Sequence, residues 1–240
     1  MEYSIPSPAN MIMEQVAPVL LQFCAREKII LGGGTALAAR WHHRRSTDID
    51  LFLALEDFQK IHEELAAMFA SSGGFLLWED GQGWCRGRLA EGEFAIATTL
   101  PVLKTAPDVN ATEETANWGF ALEAVDEILA KKLRLRIYGN GEFLARDCYD
   151  LVTAAEKDSD SLLRALGVLN THQRGEIANE LRSIRSIARL GGRALEAPHH
   201  PEWLTDLPIR AAEIVEKGPT VRPMPEKQPP TPPSSSGIQP

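Results

Sequence analysis

Apolar residues at Met13, Val16, Val19, Leu20 and Phe23 recur at helical spacing and predict a first helix from about Asn10 to Lys28. Pro18 falls inside this run as a kink or a break. The short apolar stretch 28–31 reads as a buried strand that stops at Gly32, and Thr35 to Trp41 as a second helix with Thr35 as N-cap. A further strand spans Asp48 to Leu53. Phe58, Ile61, Leu65, Met68 and Phe69 then share one face of an amphipathic helix over Glu56 to Ala70. Runs at Phe75–Glu79, Trp84–Leu89 and Glu93–Thr98, separated by glycine-containing turns, predict antiparallel hairpins.

From about Ala121 the alternating pattern gives way to helical segments, at Leu122–Tyr138, Glu142–Lys157, Ser159–Leu169 and Gly175–Leu190. The stretch after Gly218 is rich in Pro, Ser and Lys and nearly devoid of large apolar residues, so it is expected to be disordered. The pattern predicts an α+β protein: a mixed-sheet α/β domain over 1–120, a helical domain over 121–217 and a Pro-rich tail over 218–240.

Composition narrows the class. The 240 residues are 44% hydrophobic and 24% charged, ordinary for a soluble globular protein. No apolar run approaches the ~18 residues of a membrane span, and the N-terminus lacks the pattern of a signal peptide. The three scattered cysteines, Cys24, Cys85 and Cys148, show no CxxC spacing, so free buried thiols in a reducing cytoplasm are expected. A net charge of −8 argues against a protein coated in positive charge, though not against a local basic groove.

Two short motifs carry candidate chemistry. Gly32-Gly33-Gly34 between a strand and a helix lets backbone N–H groups approach a phosphate closely. It is neither a Walker A loop, which needs Lys-Ser/Thr after the glycines, nor a GxGxxG fingerprint; a plain strand-to-helix turn is the simpler alternative. Asp48 and Asp50 lie at i and i+2 of a strand and project to one face. Set among Ile49, Leu51 and Phe52, such a pair needs a compensating charge, which a divalent cation supplies. Pairing with Arg44 and Arg45 is the alternative. The run His42-His43-Arg44-Arg45 suits either a helix C-terminus or phosphate contact, and a histidine here is expected to be solvated rather than a metal ligand.

Together these residues resemble a known family. Gly-Gly-Gly-Thr-Ala-Leu, then His43-Arg44-x-Ser46-x-Asp48-x-Asp50-Leu-Phe, is similar to the nucleotidyltransferase motif of the AbiEii/AbiGii toxins, in the polymerase β-like superfamily. Ala130-Lys131-Lys132-Leu133 and Arg146-Asp147-Cys148-Tyr149-Asp150-Leu151 are similar to that family's later helical motifs. The resemblance implies an enzyme with a polymerase β-like fold that transfers NMP from an NTP to a hydroxyl with Mg²⁺. The acceptor it implies is RNA, a tRNA end above all, and the setting a toxin–antitoxin or abortive-infection system with a cognate antitoxin. It implies Gly33, Gly34, Thr35, Arg44 and Ser46 as nucleotide-binding residues and Asp48 and Asp50 as catalytic metal ligands. Lys132 would reach the phosphates, and Asp147 or Asp150 would complete the acidic cluster or position the acceptor.

The residues leave alternatives. Arg146 and Asp150, four apart on a helix, can simply pair with each other. The strand at Glu93–Thr98 carries Ala95 and Ala97 where a third acid is expected, with Glu93 assigned to the turn before it. Arg182, Arg185, Arg189 and Arg193 form a stripe on the last long helix, read either as a track for RNA phosphates or as a solvated face. A small-molecule nucleotidyltransferase of the aminoglycoside-modifying type and a non-catalytic nucleotide-binding module remain the competing functions.

Overall fold

The computed structural model describes residues 5, 7–71, 77–98, 100–108 and 118–218. The expected disorder of the tail concerns residues outside this set. The first helix, α1 (Ala9–Leu20), is shorter than its pattern suggests. It ends two residues past Pro18, which cannot donate to the helical ladder, and a 3₁₀ turn (Arg26–Lys28) leads into β1 (Ile30–Gly32). Ile12, Met13, Val16 and Leu20 are buried, whereas Phe23 lies beyond the helix and is exposed.

Next come α2 (Gly33–Trp41), β2 (Asp48–Leu53) and α3 (Leu55–Ser71). Phe58, Ile61 and Leu65 form the buried face of α3; the side chains of Met68 and Phe69 lie outside the described set. The predicted hairpins are present as β3 (Leu77–Gly81), β4 (Trp84–Arg88) and β5 (Glu93–Thr98), paired antiparallel. Residues 75 and 76 of the first predicted run fall outside the description.

The strand signal does not end at Ala121. Ala121–Leu122 form β6, which pairs parallel with β1 at the edge of the sheet. A two-residue strand is too short to show alternation, which explains why its pattern was silent. The result is a six-stranded mixed sheet in the order β3-β4-β5-β2-β1-β6. Near its centre, β2 runs antiparallel to β1 and parallel to β5, with Asp50 opposite Gly32 and Asp48 beside Glu93. Burial along β2 alternates, with Ile49, Leu51 and Leu53 fully buried, so Asp48, Asp50 and Phe52 occupy the opposite face.

The helical part comprises α4 (Val125–Lys131), a π-helical continuation (Lys132–Gly139), α5 (Ala145–Lys157), α6 (Ser159–Leu166), α7 (Thr171–Ile184) and α8 (Leu207–Lys217). One apolar core runs from α1 through the sheet to α8, with Leu37, Leu51, Leu129, Tyr149 and Val215 all in it. The three cysteines are free and buried, as expected. No helix among the described residues is long and apolar enough to cross a membrane.

Candidate active site

The glycine turn is built around close approaches. Gly33 opens α2 with φ of +61°, and a Cβ there would collide with the Asp50 carboxylate. A Cβ on Gly34 would collide with the Arg44 guanidinium. The glycines thus let an acid from β2 and an arginine from the α2–β2 loop sit directly against the start of the helix.

Thr35 is not the N-cap; Gly32 is. Thr35 lies inside α2, is buried, and donates its hydroxyl to the backbone carbonyl of Asp48. Its oxygen stands 2.7 Å from Ser46 Oγ. The hydroxyl expected to hold phosphate therefore ties α2 to β2, while Ser46 lies beside it on the cavity wall.

A cavity of 380 Å³ opens over this face of the sheet. Asp48, Asp50 and Phe52 line it from β2, Gly33 and Gly34 from the turn, and Lys132, Arg136 and Arg146 from the helical side. Cationic side chains outnumber acids on its walls, seven (Arg44, Arg45, Lys131, Lys132, Arg136, Arg146, Arg193) to four (Asp48, Asp50, Glu123, Glu196). A chain of net charge −8 thus holds a locally basic cleft.

The two aspartates differ. Asp50 has no hydrogen-bond or ion-pair partner among the described residues. Asp48 is held by Arg146 at 2.9 Å on one oxygen and Arg193 at 2.8 Å on the other. Two hard carboxylates on one face, with a cavity and a glycine turn beside them, fit Mg²⁺, which takes one or two carboxylates and fills its shell with phosphate and water. Among the described residues no group of three or more His, Cys, Asp or Glu side chains is arranged to hold a metal.

Behind this face lies a buried ionic network. Asp150 accepts from Arg44 through Nε at 2.7 Å and Nη2 at 3.0 Å, lies 2.7 Å from His43 Nε2, and has Lys132 Nζ 3.1 Å away. Asp147 is paired with Lys132 and, at 2.9 Å, with Arg136. Both carboxylates are fully buried. Burial opposes their ionisation, but the surrounding cations outweigh it: Lys132 and Arg136 lower Asp147, and Arg44, Lys132 and His43 hold Asp150 well below the usual carboxylate range.

Several expectations are corrected by this network. Arg146 does not pair with Asp150. Asp147 and Asp150, three apart on α5, converge on Lys132, while Arg146 on the neighbouring face reaches Asp48. Asp147 and Asp150 are each paired with cations and do not line the cavity, so the structure does not place them beside Asp48 and Asp50 on its wall. His43 is buried rather than solvated, and burial lowers its pKa against the pull of Asp150. The left-handed His42, φ 49°, closes α2 and turns His43 and Arg44 inward. Arg44 lines the cavity, yet its guanidinium is committed to Asp150.

The arginine stripe is not one face. Helix α7 ends at Ile184, and Arg185 takes a left-handed conformation that breaks the phase. Arg189 lies on a separate 3₁₀ turn, Arg182 pairs with Glu216, and Arg193 reaches back to the sheet.

One acid, Glu123, escaped the sequence reading, and another, Glu93, is placed differently by the structure. Glu93 is the first residue of β5, not part of the turn, and stands beside Asp48 in register, sharing Arg193 with it at 2.9 Å. Only the parallel β2–β5 pairing makes them neighbours. Glu123 follows β6, lines the cavity, pairs with Lys131 and accepts the Gly33 N–H at 3.4 Å; burial raises its pKa despite Lys131.

Residues 22–83 match a family model described as Nucleotidyl transferase AbiEii toxin, Type IV TA system. This segment is similar to the AbiEii nucleotidyltransferase toxins. It contains the glycine turn, α2, the aspartate strand and α3, and so the recognition and the enzyme class expected from the motifs both stand. The AbiEii match stops short of α5, so Lys132, Asp147 and Asp150 lie outside it. Two solved structures cover 88% of this chain at 17% identity, both from Helicobacter pylori. One, a candidate nucleotidyltransferase, is covered over 96% of its length with a TM-score of 0.49; the other, JHP933, over 93% with a TM-score of 0.47. No curated protein matches the chain.

Proposed function

We propose that the protein transfers an NMP unit from an NTP to a hydroxyl of RNA, a tRNA end above all, with release of pyrophosphate, as the toxin of a toxin–antitoxin pair. The observation that carries this reading is the placement of Asp48 and Asp50 on one face of β2, over a glycine turn and under a basic wall.

Asp48 and Asp50 would hold a Mg²⁺ ion, which when bound neutralises phosphate oxygens and orients the displacement. The chain's own residues supply the rest. The Gly33–Gly34 backbone offers close approach to a phosphate, and Ser46 a hydroxyl beside it. Lys132 and Arg136, held in place by Asp147, add fixed positive charge where a triphosphate would lie. Asp147 and Asp150 act by positioning these cations. The basic lining favours an anionic acceptor such as RNA over a cationic aminoglycoside-type substrate.

Incubating the purified protein with each α-³²P-labelled NTP and total RNA tests the reading. Label should move to an RNA band in the wild-type protein and not with Asp50→Ala. Label transfer that persists in Asp50→Ala would falsify the assignment, and tight Mg–NTP binding without any pyrophosphate release would favour a non-catalytic module.

A further inference from the structure

Arg193 holds an unusual position. It belongs to the connection between the 3₁₀ turn Ile187–Arg189 and the one at Pro201–Thr205, far from the sheet in sequence, yet its guanidinium spans two carboxylates of adjacent strands. One nitrogen lies 2.8 Å from Asp48 Oδ1 and the other 2.9 Å from Glu93 Oε1. The segment is pinned on both sides of it. Gly191 N–H donates to Phe143 O at 2.8 Å, and Arg45 N–H donates to Glu196 O at 3.0 Å. His199 N–H donates to His43 O at 2.7 Å. Arg193 is thus delivered to the carboxylates by backbone hydrogen bonds rather than by chance contact of a long surface side chain.

The guanidinium sits against Oδ1 of Asp48, one of the two carboxylates that would hold a divalent cation. Arg146 holds the other oxygen, and Arg88 also pairs with Glu93, so neither acid is stranded if Arg193 leaves. The Arg193 side chain is half exposed and lines the cavity, so a short rotation keeps it over the place where phosphates would arrive.

Resting on the nucleotidyltransferase reading above, we propose that Arg193 is a partner-exchanging substrate residue. In the free protein its guanidinium bridges Asp48 and Glu93. When a metal–triphosphate enters, Arg193 yields Asp48 to the metal and turns its guanidinium onto the triphosphate. The exchange converts a resting ion pair into a charge-assisted contact with an anion.

The exchange predicts shifts of opposite sign. In Arg193→Ala, Mn²⁺ alone, followed by the paramagnetic resonance of the free ion, should bind tighter by about threefold or more, the competition of a half-exposed ion pair. Inorganic triphosphate with Mg²⁺, followed by calorimetry, should bind more weakly by about threefold or more. Arg193→Lys should fall between. A residue that only tethers its loop would leave both affinities unchanged or weaken both. Unchanged or weaker Mn²⁺ binding in Arg193→Ala, or triphosphate binding that is unchanged or tighter, overturns the proposal alone. Wild-type protein that binds neither Mn²⁺ nor Mg–triphosphate overturns the nucleotidyltransferase reading, and this proposal with it.

Discussion

Arg44 grips Asp150 through two nitrogens, Nε to one carboxylate oxygen at 2.7 Å and Nη2 to the other at 3.0 Å, across 106 residues of chain. Both side chains are buried, and the pair ties the loop between α2 and β2 to α5. The glycine turn and the aspartate strand are thereby held against the helical wall of the cavity. Asp150→Asn leaves Arg44 and Lys132 buried beside a neutral amide. Breaking a buried pair from one side should cost about 3 kcal/mol or more, read as a lower denaturant midpoint in urea. Unchanged stability would show that Asp150 is not the anchor.

Asp50 stands in contrast. With no hydrogen bond or ion pair at Asp50 among the described residues, Asp50→Asn should alter stability by no more than about 0.5 kcal/mol. Loss of a metal ligand should still lower the rate of nucleotidyl transfer by roughly a hundredfold or more, which is ~3 kcal/mol of activation energy. The same two measurements, transfer rate and urea midpoint, must separate for the role to hold.

Gly33→Ala strains the turn twice, through its positive φ and through collision with Asp50. It should destabilise the protein by about 1–2 kcal/mol. Part of that loss should be relieved in the double variant with Asp50→Ala, because shortening residue 50 removes the collision. Strictly additive effects in a double-mutant cycle would contradict the close approach.

Stability should fall on the acid side in two stages. Burial holds the pKa of His43 below its ordinary 6.5, so below that value the unfolded chain binds the extra proton and unfolding is favoured as pH drops. Asp147 and Asp150 titrate below their ordinary 3.8 in the folded protein. Their contribution is complete above 3.8 and is lost as pH falls through the depressed values. Glu123 acts oppositely: its raised pKa favours the folded state below the ordinary 4.5 and withdraws that support as pH rises. Melting temperatures between pH 7 and 5 should therefore decline in the wild type, and less steeply in His43→Asn.

Much of the site was legible along the chain. Alternation from Asp48 to Leu53 placed both aspartates on one face, because a strand's side-chain period is two and the residues between them are apolar. The glycine run marked the turn beside them, and the motif at Arg146–Asp150 marked a helix that belongs with them. What the pattern did not carry was the partner of each charge. Periodicity says which way a side chain faces, not which element lies opposite: on α5 it put Arg146 within reach of Asp150, whereas the fold pairs it with Asp48. The arginine stripe failed for a related reason: four residues share a face only while the helix continues, and α7 stops at Ile184.

Local spacing and apolar periodicity thus determined the elements, the turn and the paired carboxylates of this protein by themselves. Tertiary structure alone decided that Asp48 meets Arg146 across 98 residues and Arg193 across 145, that Asp147 and Asp150 bury themselves against Lys132, and that Glu93 stands beside Asp48. The physical reason is that a buried or crowded charge takes whichever opposite charge packing brings within reach, and that choice is made by the assembled sheet and helices rather than by neighbours in sequence.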